Sequence, residues 1–98
     1  MLKHIVMFRL KTDLKEKNIV IHTLKDKLEC LKNKISQVKK LETGCNISRQ
    51  TNAFDLVLVT EFESGEDLEI YRAHPDHQEV VSYIREVVGE IIVVDYMK

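Results

Sequence analysis

Hydrophobic side chains follow two different periods along this chain, and the change of period marks its secondary structure. Residues 2–10 are rich in large and β-branched side chains that alternate between two faces, which is typical of a strand. One face carries Leu2, His4, Val6 and Phe8, and the other carries Ile5 and Met7. Because both faces are largely apolar, we expect both of them to be covered by other parts of the protein.

A helical period follows this first strand. Apolar residues recur at alternating spacings of three and four, which predicts one stripe of an amphipathic helix: Ile21, Leu24, Leu28, Leu31 and Ile35. Upstream of the stripe, Asp13 can cap an exposed backbone N–H, and Glu16 stands three residues later. The pattern therefore predicts that this helix begins with a capping box.

The next two segments predict a hairpin. Residues 38–48 alternate with charges on one side only, which favours a strand at the edge of a sheet. Residues 49–53 are polar and predict a turn. Residues 54–62 form the second strand, and its four consecutive apolar residues at 56–59 indicate a centre that is buried on both faces.

A helix interrupted by proline is predicted after the hairpin. Ser64 is placed to cap it, and Pro75 disfavours helical geometry at His74, so a restart at Pro75 is expected. In the second piece, His77 shares the apolar face with Val80, Val81, Ile84 and Val88. Gly89 is expected to end the helix, and residues 91–96 predict a last strand with two apolar faces.

The order strand, helix, strand, strand, helix, strand predicts one α+β domain over residues 1–98. It is the split βαβ pattern of ferredoxin-like folds, with helices on one face of an antiparallel sheet and the second and fourth strands at its edges. The fourth strand is too apolar for an open edge, and the face without helices is apolar as well. Packing the sheets of two copies together would cover both the apolar edge strand and the apolar face, so we predict a homodimer.

Composition narrows the possible partners and location. Hydrophobic residues make up 44% and charged residues 32%, with a net charge of −1, so we expect a folded protein that binds neither nucleic acid nor a membrane. Cys30 and Cys45 form no CxxC pair and predict buried or half-buried reduced thiols. The charged N-terminus does not match a signal peptide and no apolar run is long enough to span a membrane, so a cytoplasmic location is predicted.

The segment His74-Pro75-Asp76-His77 carries the most interesting chemistry, with Tyr71 just before it. Two histidines three residues apart could reach one metal ion, but the proline disturbs that geometry and no zinc-motif spacing is present, so no metal site is predicted. The sequence leaves open an incidental cation at an acidic surface loop. The chain has no phosphate-binding glycine loop, nucleophile elbow or nucleotide fingerprint. We therefore predict no cofactor.

Three segments together resemble the stress-responsive dimeric α/β-barrel domain family: Lys3–Phe8, Tyr71–His77 and Val93–Tyr96. The resemblance implies a ferredoxin-like protomer that pairs with a second copy to form a barrel. Some members of the family are cofactor-independent polyketide cyclases, in which the second histidine of HPxH is a general base assisted by a tyrosine, with a first-strand histidine in the same cavity. Those roles would fall on His77, Tyr71 and His4.

Three hypotheses follow for the function. The first is binding of a small apolar or aromatic metabolite beneath the second helix, in a cavity lined by His4, Val6, Phe8, Tyr71, His77 and Val81. The second is a cofactor-independent cyclase or isomerase with His77 as general base. The third is a regulatory or interaction module without a ligand cavity.

Purely structural roles are the alternative for each candidate residue. His77 would bond to a backbone carbonyl or to Tyr71, and His74 would cap the restarted helix. His4 would bridge strand and helix, and the hydroxyl of Tyr71 would meet a polar partner. Asp95 would either orient a histidine or pair with a surface lysine.

Overall fold

A computed structural model describes residues 1–98 and contains four strands and three helices. In chain order they are β1 (Leu2–Leu10), α1 (Lys17–Lys34), β2 (Lys40–Cys45), β3 (Leu56–Phe62), α2 (Gly65–Ala73), α3 (Pro75–Val87) and β4 (Val88–Met97). The strands form one antiparallel sheet in the order β2-β3-β1-β4. The predicted ferredoxin-like α+β fold, with the second and fourth strands at the edges, is confirmed.

The start of α1 differs from the prediction. No side chain caps this helix, and Glu16 precedes it in the left-handed region at φ 52° and ψ 50°. The carbonyl of Glu16 instead accepts the N–H groups of Ile19 and Val20 at 3.0 and 3.3 Å. The predicted capping box of Asp13 and Glu16 is therefore wrong, because a backbone turn at Glu16 begins the helix four residues after Asp13.

The hairpin strands are shorter than predicted. Asn46 bonds to both backbone groups of Ser48, and such local bonding competes with a strand ladder. Its partner strand begins only at Leu56, because the carboxylate of Asp55 accepts the backbone N–H of Leu10 at 2.7 Å. The region between β2 and β3 is therefore a loop fastened to the end of β1.

The break between α2 and α3 lies where the sequence predicts it. Ser64 caps α2 by accepting the N–H of Asp67 at 3.2 Å, and His74 is extended at φ −64° and ψ 135°. Pro75 then opens α3, where its missing N–H removes no helical hydrogen bond. His74 caps α3 through its side chain, since its Nδ1 accepts the N–H of Asp76 at 3.1 Å.

The last strand begins earlier than predicted. α3 ends at Val87, and Val88 is already extended and paired with Leu10 of β1. The prediction that Gly89 ends the helix and that the strand spans 91–96 is therefore corrected: pairing with β1 draws Val88, Gly89 and Glu90 into β4.

The core lies between the sheet and the helices. Its fully buried side chains include Leu24, Leu28 and Leu31 from α1, Phe62 from β3 and Tyr71 from α2. None of the three helices combines the length and the apolar character that a membrane-spanning helix needs. Both cysteine side chains are exposed in the single chain, so the expected burial of Cys30 and Cys45 is wrong; Cys30 lies outside the buried stripe of α1 and Cys45 ends an edge strand.

Candidate functional site

A cavity of about 380 Å³ lies between the helical face of the sheet and α2–α3. All six residues that the sequence predicts around a ligand line it: His4, Val6, Phe8, Tyr71, His77 and Val81. The remaining lining residues are Leu28, Leu58, Arg72, Gln78, Ile84, Ile91 and Val93. The presence of this cavity counts against the hypothesis of a module that has none.

Strand alternation and helix periodicity place the side chains that line the cavity. Alternation along β1 turns His4, Val6 and Phe8 toward the helices, and alternation along β4 does the same for Ile91 and Val93. The restart at Pro75 turns the apolar face of α3 toward the same space. The result is a mostly apolar, partly open cavity with two imidazoles in its wall.

The helix break determines how His77 is held. In a continuous helix the carbonyl of Arg72 would accept the N–H of Asp76, but that N–H is bonded to His74. The freed carbonyl accepts the Nδ1–H of His77 at 3.1 Å and the side-chain N–H of Gln78 at 2.6 Å. A carbonyl has no hydrogen to give, so the Nδ1 of His77 carries the proton and, in the neutral ring, Nε2 is an acceptor.

Burial lowers the pKa of His77 below its ordinary value of 6.5, and the bond to the Arg72 carbonyl offsets this only in part. The guanidinium of Arg72 lowers the pKa of His77 further, because it repels a positive charge on the ring. His77 is therefore a neutral imidazole at neutral pH, which is the form that accepts a proton.

His4 is held by a carboxylate across the sheet. His4 and Asp95 are directly opposed on β1 and β4, and the Nδ1 of His4 contacts one carboxylate oxygen of Asp95. The other oxygen accepts a hydrogen bond from the guanidinium of Arg72 at 3.3 Å. Asp95 therefore contacts a histidine, as one of the two expectations had it. The cation that pairs with Asp95 is Arg72 and not a surface lysine.

Tyr71 is fully buried at the back of the cavity. Its ring lies 4.4 Å from that of His77 and 5.1 Å from that of Phe62, measured between centroids. Its hydroxyl has no hydrogen-bond partner, so the expected polar partner is missing. Burial raises the pKa of Tyr71, so the hydroxyl keeps its proton and can only donate or accept a hydrogen bond.

The sequence interpretation missed Arg72, whose main-chain carbonyl holds His77 and whose side chain holds Asp95, the partner of His4. The available signal was its position three residues before Pro75, where a helix end leaves a carbonyl without its usual partner. His74 does not line the cavity and acts as a cap. No group of three or more histidine, cysteine and carboxylate side chains is placed to hold a metal ion.

The lowered pKa of His77 predicts a pH dependence of stability. Below pH 6.5 the unfolded chain binds a proton that the folded chain resists, so the free energy of unfolding should fall as the pH drops from 6.5 toward the lower folded-state pKa. Urea unfolding between pH 5 and pH 8 measures this, with His77→Gln expected to remove that part of the slope. The matched variant His22→Gln, on the exposed side of α1, should leave the slope unchanged. Equal slopes in all three proteins would contradict the prediction.

Comparison with known proteins gives matches over nearly the whole chain. The sequence model of the stress-responsive A/B barrel domain matches residues 2–98. A dimeric protein of unknown function and ferredoxin-like fold from Bacteroides fragilis is 30% identical with a TM-score of 0.90, covering 99% of this chain and 95% of its own. A dimeric ferredoxin-like protein from Thermobifida fusca is 18% identical with a TM-score of 0.86, covering 99% and 90%.

An enzyme is also among the similar structures. The hydroxynitrile lyase from Passiflora edulis is 21% identical with a TM-score of 0.84, covering 99% of this chain and 92% of its own, and at this identity it shows a shared fold alone. Among curated proteins, none matches the sequence.

Proposed function

The chain belongs to the stress-responsive A/B barrel domain family, and from this premise we propose that it is a homodimer that binds a small apolar or aromatic molecule beneath α2 and α3. The observation that carries the proposal is the cavity of about 380 Å³ with apolar walls and two fixed imidazoles. Ligand pockets have roughly this size, from about 300 to 1,000 Å³, and this combination of apolar surface with a few placed polar groups. No cofactor is part of the proposal.

Homodimer formation is supported by the face of the sheet that carries no helices. Met7, Ile92 and Val94 lie on it with 41%, 46% and 54% of their surface exposed in the single chain. A contiguous apolar patch of this kind marks an interaction site. The similar proteins from Bacteroides fragilis and Thermobifida fusca are themselves dimeric. We propose that two copies bury this face against each other.

A cytoplasmic location is proposed as well. Cys30 and Cys45 are free thiols, and both are exposed in the single chain. Exposed thiols of this kind fit a compartment that keeps cysteine reduced.

Ligand binding can be tested with 2-naphthol, a flat apolar molecule with one hydroxyl. In an NMR titration we expect shift changes at His77 and Val93, on opposite walls of the cavity. Val81→Trp fills the cavity and should weaken binding at least about tenfold, a loss of about 1.4 kcal/mol. Ile70→Trp adds the same side chain at an exposed position of α2 and should change nothing. Binding that is equal in both variants would reject this site.

A second candidate function is cofactor-independent proton transfer, as in a cyclase or isomerase. It is favoured by one observation: the Nδ1–H of His77 is bound to the Arg72 carbonyl, and burial keeps the ring neutral, so Nε2 is free to accept a proton. Tyr71 is the nearest ring and carries an unpartnered hydroxyl that could bond to a developing enolate oxygen.

Proton transfer can be tested with benzoylacetone, an aromatic 1,3-diketone with an acidic C–H. If His77 is a general base, the protein should accelerate deuterium exchange at the central carbon, and His77→Gln should slow this exchange about 100-fold or more. His22→Gln removes an exposed histidine and should leave the rate unchanged. Exchange no faster than in buffer, or equal in both variants, rejects catalysis by His77 on this compound and leaves the binding function standing.

A further inference from the structure

We propose that Asp95, itself anchored by Arg72, is a positioning residue that keeps the proton of His4 on Nδ1 and presents Nε2 to the cavity as a second acceptor. The inference deepens the proposed function, since it assigns a role in the same cavity. It concerns the protein without ligand, so it can be tested separately.

The first step is the placement of the carboxylate. Asp95 and His4 are directly opposed residues of antiparallel strands, so their side chains project from the same face of the sheet. One oxygen of Asp95 contacts the Nδ1 of His4, and the other is 3.3 Å from the Nη2 of Arg72. Both oxygens are thus engaged from different elements, β1 and α2, and the carboxylate cannot turn without breaking one of these bonds.

The second step concerns the proton. An ionised carboxylate only accepts hydrogen bonds, so the Nδ1 of His4 must be the donor. In the neutral ring the remaining nitrogen, Nε2, then has a free lone pair. The side chain of His4 is only 7% exposed, so the orientation of its ring is restricted by the surrounding core.

The third step is where that lone pair points. The hydroxyl of Tyr71 is the only buried side-chain polar atom that lacks a hydrogen-bond partner. The Nε2 of His4 also lacks a partner, so it must be an accessible atom and not a buried one. The Nε2 of His4 is therefore not sealed off, and since His4 lines the cavity, this nitrogen opens into it. The same reasoning applies to the Nε2 of His77, so the cavity holds two acceptor nitrogens with fixed tautomers.

The arrangement is not explained by stability alone. The Arg72–Asp95 pair is partly exposed, with 43% and 31% of the side-chain surfaces accessible, and ion pairs of this kind stabilise a fold little. If Asp95 and Arg72 were only structural, replacing them would change the free energy of unfolding and leave the proton of His4 on Nδ1. If they position His4, replacing them moves the proton to Nε2.

Nitrogen-15 NMR of the neutral imidazole rings in the ligand-free protein distinguishes the two roles. In the unmodified protein we expect the proton of His4 on Nδ1. Asp95→Ala removes the acceptor and should lower the ratio of Nδ1–H to Nε2–H at least tenfold. Arg72→Ala should lower the ratio at His4 and leave His77 in its Nδ1–H form, because the carbonyl that holds His77 belongs to the main chain.

The control variant is Glu90→Ala, which removes another carboxylate of β4, one that pairs with Arg9. It should leave both histidines unchanged. A proton on Nε2 of His4 in the unmodified protein would overturn the proposal, and so would an unchanged ratio in folded Asp95→Ala or Arg72→Ala. Since no ligand is present, these results do not depend on whether 2-naphthol binds.

Discussion

Replacing Val94 with lysine is expected to convert a dimer into monomers. Val94 is opposite Ile5 on the face of the sheet without helices, and 54% of its surface is exposed in the single chain. In a two-fold symmetric interface each substitution occurs twice. Burying an unpaired charge costs several kcal/mol, and each 1.4 kcal/mol changes a dissociation constant about tenfold, so we expect the constant to rise at least about 100-fold.

Sedimentation velocity at micromolar concentration measures this change. Ile70→Lys is the matched control, because Ile70 is 48% exposed on α2, on the helical side of the molecule. This variant should remain a dimer. An unmodified protein that sediments as a monomer, or a dimer that persists in Val94→Lys, would contradict the proposed interface.

Phe62→Ala is expected to lower the free energy of unfolding by about 3–5 kcal/mol, a large part of the stability of a small domain. Phe62 is fully buried, and its ring lies 5.1 Å from that of Tyr71 and 6.4 Å from that of His4. Removing the ring leaves a void between the sheet and α2, and a void in a packed core lowers the free energy of unfolding.

Urea unfolding at one fixed protein concentration measures this loss, because dimerisation makes stability depend on concentration. Ile70→Ala, at an exposed position, should change the free energy of unfolding by no more than about 0.5 kcal/mol. A loss below about 1 kcal/mol in Phe62→Ala would mean that the ring is not part of a packed core.

The elements were predictable where one residue type imposes the geometry. Pro75 defines the start of α3, and the hydroxyl of Ser64 caps α2 as the sequence indicates. Boundaries set by distant pairing were not predictable. Val88 leaves the helix because Leu10 pairs with it, and α1 begins after Glu16 through bonds to the main-chain carbonyl of that residue, to which no side chain contributes.

The candidate site divides in the same way. Strand alternation and helix period place His4 and His77 on apolar faces, and it is the resemblance to the family that assigns them, with Tyr71, to one cavity. The contacts that hold the imidazoles could not be read in the sequence. The pairing of His4 with Asp95 depends on the register between β1 and β4, and the bond of His77 to Arg72 uses a main-chain carbonyl.

The break at His74 also ties the two helices together. In one continuous helix the carbonyl of Arg72 would be used within the helix, and no main-chain group of the first half would be free to hold a side chain of the second. Here that carbonyl of α2 holds the imidazole of α3, while Val80, Ile84 and Val87 anchor α3 in the core. A substitution that shifts α2 should therefore also shift His77, so the two helices change the shape of the cavity together.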